Sequence, residues 1–499
     1  MNDRTSAVFA NGMPAAVRAK AEKSKAGYLA TFGPRKGGPL SGGDELLYAK
    51  DNPILGPEFG IQTLALGSPA EAGAGRPIDA EKGVVVGNIR MGYGHYRIAM
   101  SVASVLKHRG YTPYWFDLNG FESSVGGKVV ARLNELYSLG SRLSQKYPLF
   151  NRLYWEPLNA EGFKKLSFNA VDQKVAELFA PLYRGLPSDM PFIATHAWPA
   201  QGALHAGLTR VVNMIPDNWP MALHLSEGAV HAVQSPSAYL GYRVLREMKG
   251  DGSLSLPMPA SSLRMTGHFI DHELVANLQA DTALRMARIE RGQPKRVLFS
   301  IGGAGAQLEL IVALVKELLP KVLKGALTLY LNFGDHEASW ERFVAALGAD
   351  AASFESLLSR HFGDWPSCKA FAAEALAGEA LGVHAFLNAD KFAAVYCTNL
   401  LMRSADILVT KPSELAYYPI PKLMIRRVGG HERWGAIRAA ELGDGSYELE
   451  SLEAAAQVLH LMLEEGDILS LYNERILKNA GAGLYDGAYK VVDLALGTC

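Results

Sequence analysis

The sequence predicts an α/β protein of two Rossmann-like domains preceded by an N-terminal extension. Three observations predict it. Largely apolar runs such as Gly83–Asn88 (GVVVGN) have the character of strands buried on both faces, as in parallel sheets. Such runs lead into glycine-rich turns and then into segments with apolar residues at helical spacing, the β–loop–α unit of open α/β folds. The chain has 499 residues, which suits two to four domains at roughly 150 residues each. The expected division is an extension over residues 1–82, a first domain over 83–275 and a second over 276–499.

Taken in order, residues 1–82 are rich in Gly, Pro and Ala, with weak periodicity (GPRKGGPLSGGDE, GSPAEAGAGRP), and read as a loop-like segment draped over a domain. The strand at Gly83 leads through IRMGYGHYR into a helix ending near Gly110, then the strand TPYWFDL. Helices are expected over 126–145 and 161–183. PFIAT, TRVVNMI and VHAVQS read as strands, and Ser237–Met248 as a helix. GHFIDHE closes the first domain. A polar helical linker over 275–294 introduces the strand Arg296–Ile301, a small-residue loop and a helix from near Gln307. ALTLYLNFG is a strand, 337–380 reads as helical, and helices close the chain near 449–464, 467–478 and 484–498.

Fifty basic and fifty acidic residues leave no net charge, which argues against a nucleic-acid binder. No apolar run approaches the about 18 residues of a membrane span, and the first residues lack the apolar core of a signal peptide. Cys368, Cys397 and Cys499 are widely spaced and form no CxxC pair. No Asp-x-Asp pair or His/Cys cluster has metal-ligand spacing. The expectation is therefore a cytoplasmic protein without a catalytic metal or cofactor.

The stretch that organises the second domain is Ser404–Glu432. Asp406–Val409 reads as a buried strand. Thr410–Ser413 reads as a turn capping a helix that starts at Glu414. A second strand, Lys422–Ile425, and the Gly429-Gly430 turn bring His431 and Glu432 to the same edge. Open α/β sheets bind ligands at the carboxyl ends of their strands. Acceptor-rich points there suit a ligand with many hydroxyls.

Four other segments carry candidate chemistry. In GYGHYRIA, Gly92 and Gly94 precede His95 at a strand-to-helix turn. His95 is either a general base or a histidine that caps the turn. Asp117 is a poor match to the acid of a dinucleotide fingerprint. The loop SIGGAGAQ, with Gly302, Gly303 and Ala304, either cradles a diphosphate or is a tight β–α turn. THAWPAQ and PDNW place His196, Asp217 and His224 as candidates to line a cleft, with Asp217 either assisting a histidine or holding its own turn. The aromatic and basic stretch 142–165 either rests on an anionic membrane surface or is a helix pair with a solvated face.

Together these motifs resemble the GT-B glycosyltransferases that include monogalactosyldiacylglycerol synthase, the processive diacylglycerol glucosyltransferases and the lipid-linked N-acetylglucosaminyltransferase of peptidoglycan synthesis. The resemblance lies in Gly92-Tyr93-Gly94-His95 with Arg97 and Ala99. It continues through Asp217, His224 and Ser235-Pro236-Ser237, and through Gly302-Gly303-Ala304. Its closest part is Asp406, Thr410-Lys411-Pro412, Glu414, Pro421 and His431-Glu432. Two departures are the short loop between Lys411 and Glu414 and His431 in place of the family's Gln. The resemblance covers about residues 83–445.

It implies a GT-B fold, two domains facing across a cleft with the last helices folding back toward the first, and inverting transfer of a sugar from a UDP-sugar to an acceptor hydroxyl, such as that of a membrane lipid. The amides near Gly303 and Ala304, with Lys411, would hold the diphosphate. Glu414 would bind the ribose, and His431 and Glu432 the sugar. His95 would act as base, assisted or replaced by Asp217. Gly94, His196 and His224 would line the acceptor side. A lipid acceptor would place the protein at the inner face of the cell membrane. The alternatives are a nucleotide-sugar epimerase or hydrolase on the same fold, or a non-catalytic sugar-nucleotide-binding protein.

Overall fold

The computed structural model describes residues 3–34, 45–90, 92–155, 157–301, 307–378 and 380–498. The chain divides into two compact units. One comprises Met1–Asp271 and Gly487–Cys499, and the other His272–Asp486.

In the first unit, Ala7–Val8 (β1) and Asn11–Gly12 (β2) form a small antiparallel ribbon. Eight further strands form one sheet. They are Leu46–Asp51 (β3), Gln62–Gly67 (β4), Gly83–Asn88 (β5), Thr112–Asp117 (β6), Phe192–Ala194 (β7), Val211–Met214 (β8), Val230–Val233 (β9) and Leu263–Met265 (β10). Their order is β10-β9-β8-β7-β5-β6-β4-β3, and every neighbouring pair is parallel except β3 with β4. β5 is buried along its whole length. Its Gly87 is required, because a Cβ there would lie 2.4 Å from the Phe192 ring. The helix Gly94–His108 follows β5 and is buried from Tyr96 to Leu106. It is covered by the sheet on one side and by the helices Gly487–Leu496 and Leu55–Phe59.

The loop-like reading of residues 1–82 is corrected by β3 and β4, which extend the sheet, and by the helix Ala15–Phe32, which packs on the helix Leu166–Ala176. That helix buries only Ala21 fully, so its sequence shows no apolar stripe. The helix expected over 161–183 is confined to Leu166–Ala176. Before it the chain winds in wide π turns at Asn151–Trp155 and Leu158–Gly162, where Pro148 and Pro157 each remove a backbone donor.

The second unit holds a six-stranded, wholly parallel sheet. Its strands are Lys295–Ser300 (β11), Leu327–Asn332 (β12), Leu358–Phe362 (β13), Gly382–Leu387 (β14), Ile407–Thr410 (β15) and Lys422–Met424 (β16), in the order β13-β14-β12-β11-β15-β16. β13 interrupts the region expected to be helical throughout. It is an edge strand whose Ser359 and Arg360 face solvent, so it lacks the apolar signature of the inner strands. The polar segment expected to be a linker forms the helices His272–Ala276 and Leu278–Glu290, and its polarity points inward. The Arg288 guanidinium donates to Asp406 Oδ1 at 2.8 and 3.0 Å, and Arg285 donates to the carbonyls of Met402 and Ala405. Asp406 Oδ2 also accepts from the Arg296 amide at 2.8 Å. The acid that leads β15 thus anchors the amino end of that strand, away from its ligand-facing edge.

Both sheets share one local topology. In the first unit, β5 passes through a helix to β6 on one side, while β7 flanks it on the other. In the second, β11 passes through the helix Leu308–Leu323 to β12, while β15 flanks it on the other side. The connections diverge between β5 and β7, and again between β11 and β15. At such a point the loops at the carboxyl ends part and leave a crevice.

Candidate functional site

At the divergence in the first unit, the loop after β5 meets the loop after β7. His95, in the first turn of the helix Gly94–His108, has Nδ1 2.6 Å from the Thr195 carbonyl oxygen. A carbonyl only accepts, so Nδ1 carries the proton and the lone pair of the neutral ring is on Nε2. His196 follows Thr195 and caps the helix Ala197–His205, its Nδ1 accepting from the Trp198 amide at 3.1 Å. The proton of the neutral His196 ring is therefore on Nε2. The two imidazoles meet edge to face with centroids 4.9 Å apart. Burial, reinforced by His95 and His224, holds the His196 pKa well below the ordinary histidine value, so it stays neutral.

The next loop along the same edge, after β8, carries Asp217. Its Oδ2 lies 3.1 Å from Nε2 of His224, which sits on the turn Ala222–His224. The chain holds that turn from below: Asn213 on β8 donates to the His224 carbonyl at 2.7 Å, and the Leu223 amide to the Phe163 carbonyl at 3.0 Å. Asn218 is tied to Ser235, the cap of the helix Pro236–Arg243, by a hydrogen bond to its side-chain oxygen. His95, His196, Asp217 and His224 thus fall on consecutive strand ends of one sheet edge, with Gly94 opening the helix beside them. Asp117, at the end of β6, accepts from the Tyr96 hydroxyl and the Asn119 amide, a different role from that of a ribose ligand.

In the second unit, Lys411 follows β15 at the divergence from β11. Its ammonium pairs with Glu432 Oε1, while Glu432 Oε2 accepts from the amides of Val428 and Gly429 at 2.8 and 3.2 Å. Burial would raise this carboxyl, but Lys411, His431 and the Val428 amide outweigh it and hold the pKa below the ordinary range. Glu432 therefore shapes the Gly429-Gly430 turn as well as presenting charge. His431 is partly buried, and its Nδ1 is enclosed without a hydrogen-bond partner among the described residues.

Glu414 lies on the same edge, but the helix expected to start there is one 3₁₀ turn, Glu414–Tyr417, and Ser413 makes no side-chain cap. Pro419 and Pro421 stop it by disfavouring helix in the residues before them. Gly302, Gly303 and Ala304 lie outside the described residues. Gln307 caps the helix Leu308–Leu323, and its amide side chain accepts from Arg426 at 3.3 Å and donates to the Arg427 carbonyl at 3.4 Å. Arg427 in turn pairs with Glu448. Among the described residues, no group of three or more His, Cys, Asp or Glu side chains is placed to hold a metal ion. No helix among them is long and apolar enough to cross a membrane.

Sequence reasoning missed Thr195, Asn213, Asn218 and Gln307, which position the candidates. Thr195 and Asn213 act across loops or strands distant in sequence, and no local pattern announces them. In the sequence Gln307 marked a helix start and the end of the SIGGAGAQ loop, with no role of its own. Its left-handed backbone, φ 63°, and its contact with the loop after β16 emerge from the fold.

Residues 7–244 match the family described as Domain of unknown function (DUF6937), and residues 258–496 that described as Domain of unknown function (DUF6938). No curated protein matches the sequence. Among solved structures, the chain is similar to UDP-GlcNAc 2-epimerase from Neisseria meningitidis bound to UDP-GlcNAc, at 10% identity and a TM-score of 0.44, covering 83% of this chain and 100% of that one. It is also similar to alpha,alpha-trehalose 6-phosphate synthase from Burkholderia multivorans, at 13% identity and a TM-score of 0.41, covering 84% and 98%. A third is a glycosyltransferase from Rickettsia africae, at 13% identity and a TM-score of 0.40, covering 83% and 97%.

Proposed function

We propose that this protein is a metal-independent, inverting glycosyltransferase that moves a sugar from a nucleotide sugar, UDP-linked, to an acceptor hydroxyl. The observation that carries the reading is the His95–Thr195 contact of 2.6 Å at the divergence between β5 and β7. It fixes the ring in the tautomer a general base needs, at the point of the sheet where ligands bind. His95 Nε2 takes the acceptor proton as the hydroxyl oxygen attacks the anomeric carbon, and the nucleoside diphosphate leaves. His196 stays neutral beside it and keeps a second positive charge from forming. Asp217 with His224 orients the acceptor.

In the second unit, the loop that includes Gly302, Gly303 and Ala304 holds the diphosphate. Lys411 turns from Glu432 toward the phosphate charge, Glu414 binds the ribose, and His431 with Glu432 contacts the sugar. The acceptor carries an apolar chain. Leu149 and Leu153 are 72% and 74% exposed, Tyr147 and Tyr154 are exposed with them, and this segment runs into Phe163, which holds the His224 turn. That exposure supports the membrane-facing reading of 142–165 over the solvated helix pair.

Titrating UDP, GDP, ADP and TDP into the protein by calorimetry tests the donor site. UDP should bind, and Glu414→Ala should weaken it. With an acceptor in hand, His95→Ala should lower transfer by about 100-fold or more while leaving nucleotide binding in place. Unchanged turnover in that variant removes His95 from the mechanism. Release of UDP and free sugar without acceptor would point instead to hydrolysis.

A further inference from the structure

A second cluster lies on β13 and β14, at the edge of the second unit's sheet, and the sugar-transfer reading does not use it. Ser367 is in the first turn of the helix Trp365–Ala377, capped by Asp364, and is partly exposed. Its Oγ is 2.8 Å from His361 Nδ1. His361 Nε2 is 3.3 Å from His384 Nδ1, and His384 Nε2 is 3.1 Å from the Leu381 carbonyl oxygen.

The last contact fixes all the others. The carbonyl only accepts, so His384 carries its proton on Nε2 and its Nδ1 accepts. His361 must then donate from Nε2, which leaves its Nδ1 to accept from the Ser367 hydroxyl. One run of protons, Ser367 to His361 to His384 to Leu381, satisfies every group. The rings are locked in place: Phe386 stacks on His361 at 4.7 Å and Phe371 on His384 at 4.0 Å. Burial lowers both histidine pKa values, that of His384 to about 4, which keeps the chain of neutral rings intact near neutral pH.

A nucleophile bonded to a base, with the base oriented by a third group, is the arrangement that activates a hydroxyl. We propose that Ser367 is an activated nucleophile that takes an acyl group from small esters, with His361 its general base and His384 a positioning residue. Ser367 Oγ bonds to the acyl carbon as its proton passes to His361 Nδ1. The alcohol oxygen leaves with that proton as the ester C–O bond breaks. Water then cleaves the acyl-serine by the same route and gives the carboxylic acid. The positive end of the helix dipole at Ser367 favours the developing negative charge.

The test uses the full chain with a fluorophosphonate probe, in which the serine oxygen bonds to phosphorus and fluoride leaves, and with p-nitrophenyl acetate. Mass spectrometry should find the adduct on Ser367. Ser367→Ala should abolish it, and His361→Gln should slow labelling by about 100-fold or more. His384→Asn, which keeps an acceptor for His361, should retain a rate that His384→Leu loses. Absence of an adduct on Ser367 in the unaltered protein overturns the proposal. So does ester turnover that is undiminished in Ser367→Ala, a change of one hydroxyl that leaves the core untouched.

Discussion

Lys422 and Asp444 are fully buried 2.8 Å apart, with Lys422 also donating to the Tyr418 carbonyl and Asp444 accepting from the Tyr485 hydroxyl at 3.0 Å. Burial pushes the ammonium pKa down and the carboxyl pKa up, so each charge depends on the other. Lys422→Met should therefore destabilise the second unit by about 3–5 kcal/mol, because an uncompensated carboxylate remains inside. Pairing it with Asp444→Leu should recover much of the loss, as a double-mutant cycle in urea would read. The Phe9–Ala10 turn between β1 and β2 sets a smaller balance. Both residues have positive φ, 46° and 63°, in a two-residue hairpin that glycine or asparagine usually serves. Phe9 is retained by packing, since it is buried against the His231 ring, and the Glu227 carboxylate accepts from its amide at 2.8 Å. Ala10→Gly relieves its strain and should raise stability by up to about 1 kcal/mol.

Most strands of the inner sheets were legible because burial on both faces leaves mainly apolar side chains, as in β5, β12 and β15, whereas the inner strand β14, with His384 in its middle, was not. At the rims the edge strand β16 was legible and others were not. β13 exposes a polar strand, and β3 and β4 are followed or preceded by glycine- and proline-rich sequence; the helix Leu278–Glu290 was legible as a helix, but with its arginines hidden inside it read as a linker. The candidate site was legible in part for the same reason. Glycines before His95 and after β16 mark turns by themselves. The tautomer of His95, the restraint of the His224 turn and the engagement of Glu432 depend on partners from other loops. Because β3 and β4 complete the sheet beside β6, removing residues 1–82 should strip β6 of a neighbour and expose the apolar face of the helix Gly94–His108. The truncated chain should bind a hydrophobic dye and melt at lower temperature than the full one.

For the molecule as a whole, acid sensitivity follows from its buried histidines. Burial lowers His231 and His384 to about 4 in the folded protein. An unfolded histidine titrates near 6.5, so between 6.5 and 4 the unfolded chain binds more protons. Stability therefore rises with pH through that window and falls as pH drops through it, by on the order of 3 kcal/mol for each of the two. Urea midpoints compared at pH 7.5 and pH 5 should show the loss, and replacing His231 with Gln should reduce it.

The helix Gly487–Leu496 belongs to the first unit. It packs on the helix that carries His95, where the Arg210 guanidinium donates to the Ala495 carbonyl at 2.7 Å and the Gly487 amide to the His268 carbonyl at 2.9 Å. The whole second unit is thus an insertion within the first. During synthesis, residues up to Asp271 emerge early but wait for a covering helix that is made only after the second unit. The second unit, uninterrupted in sequence, can finish folding first, while the earlier-made unit keeps an apolar helix face that chaperones can hold until the missing helix arrives.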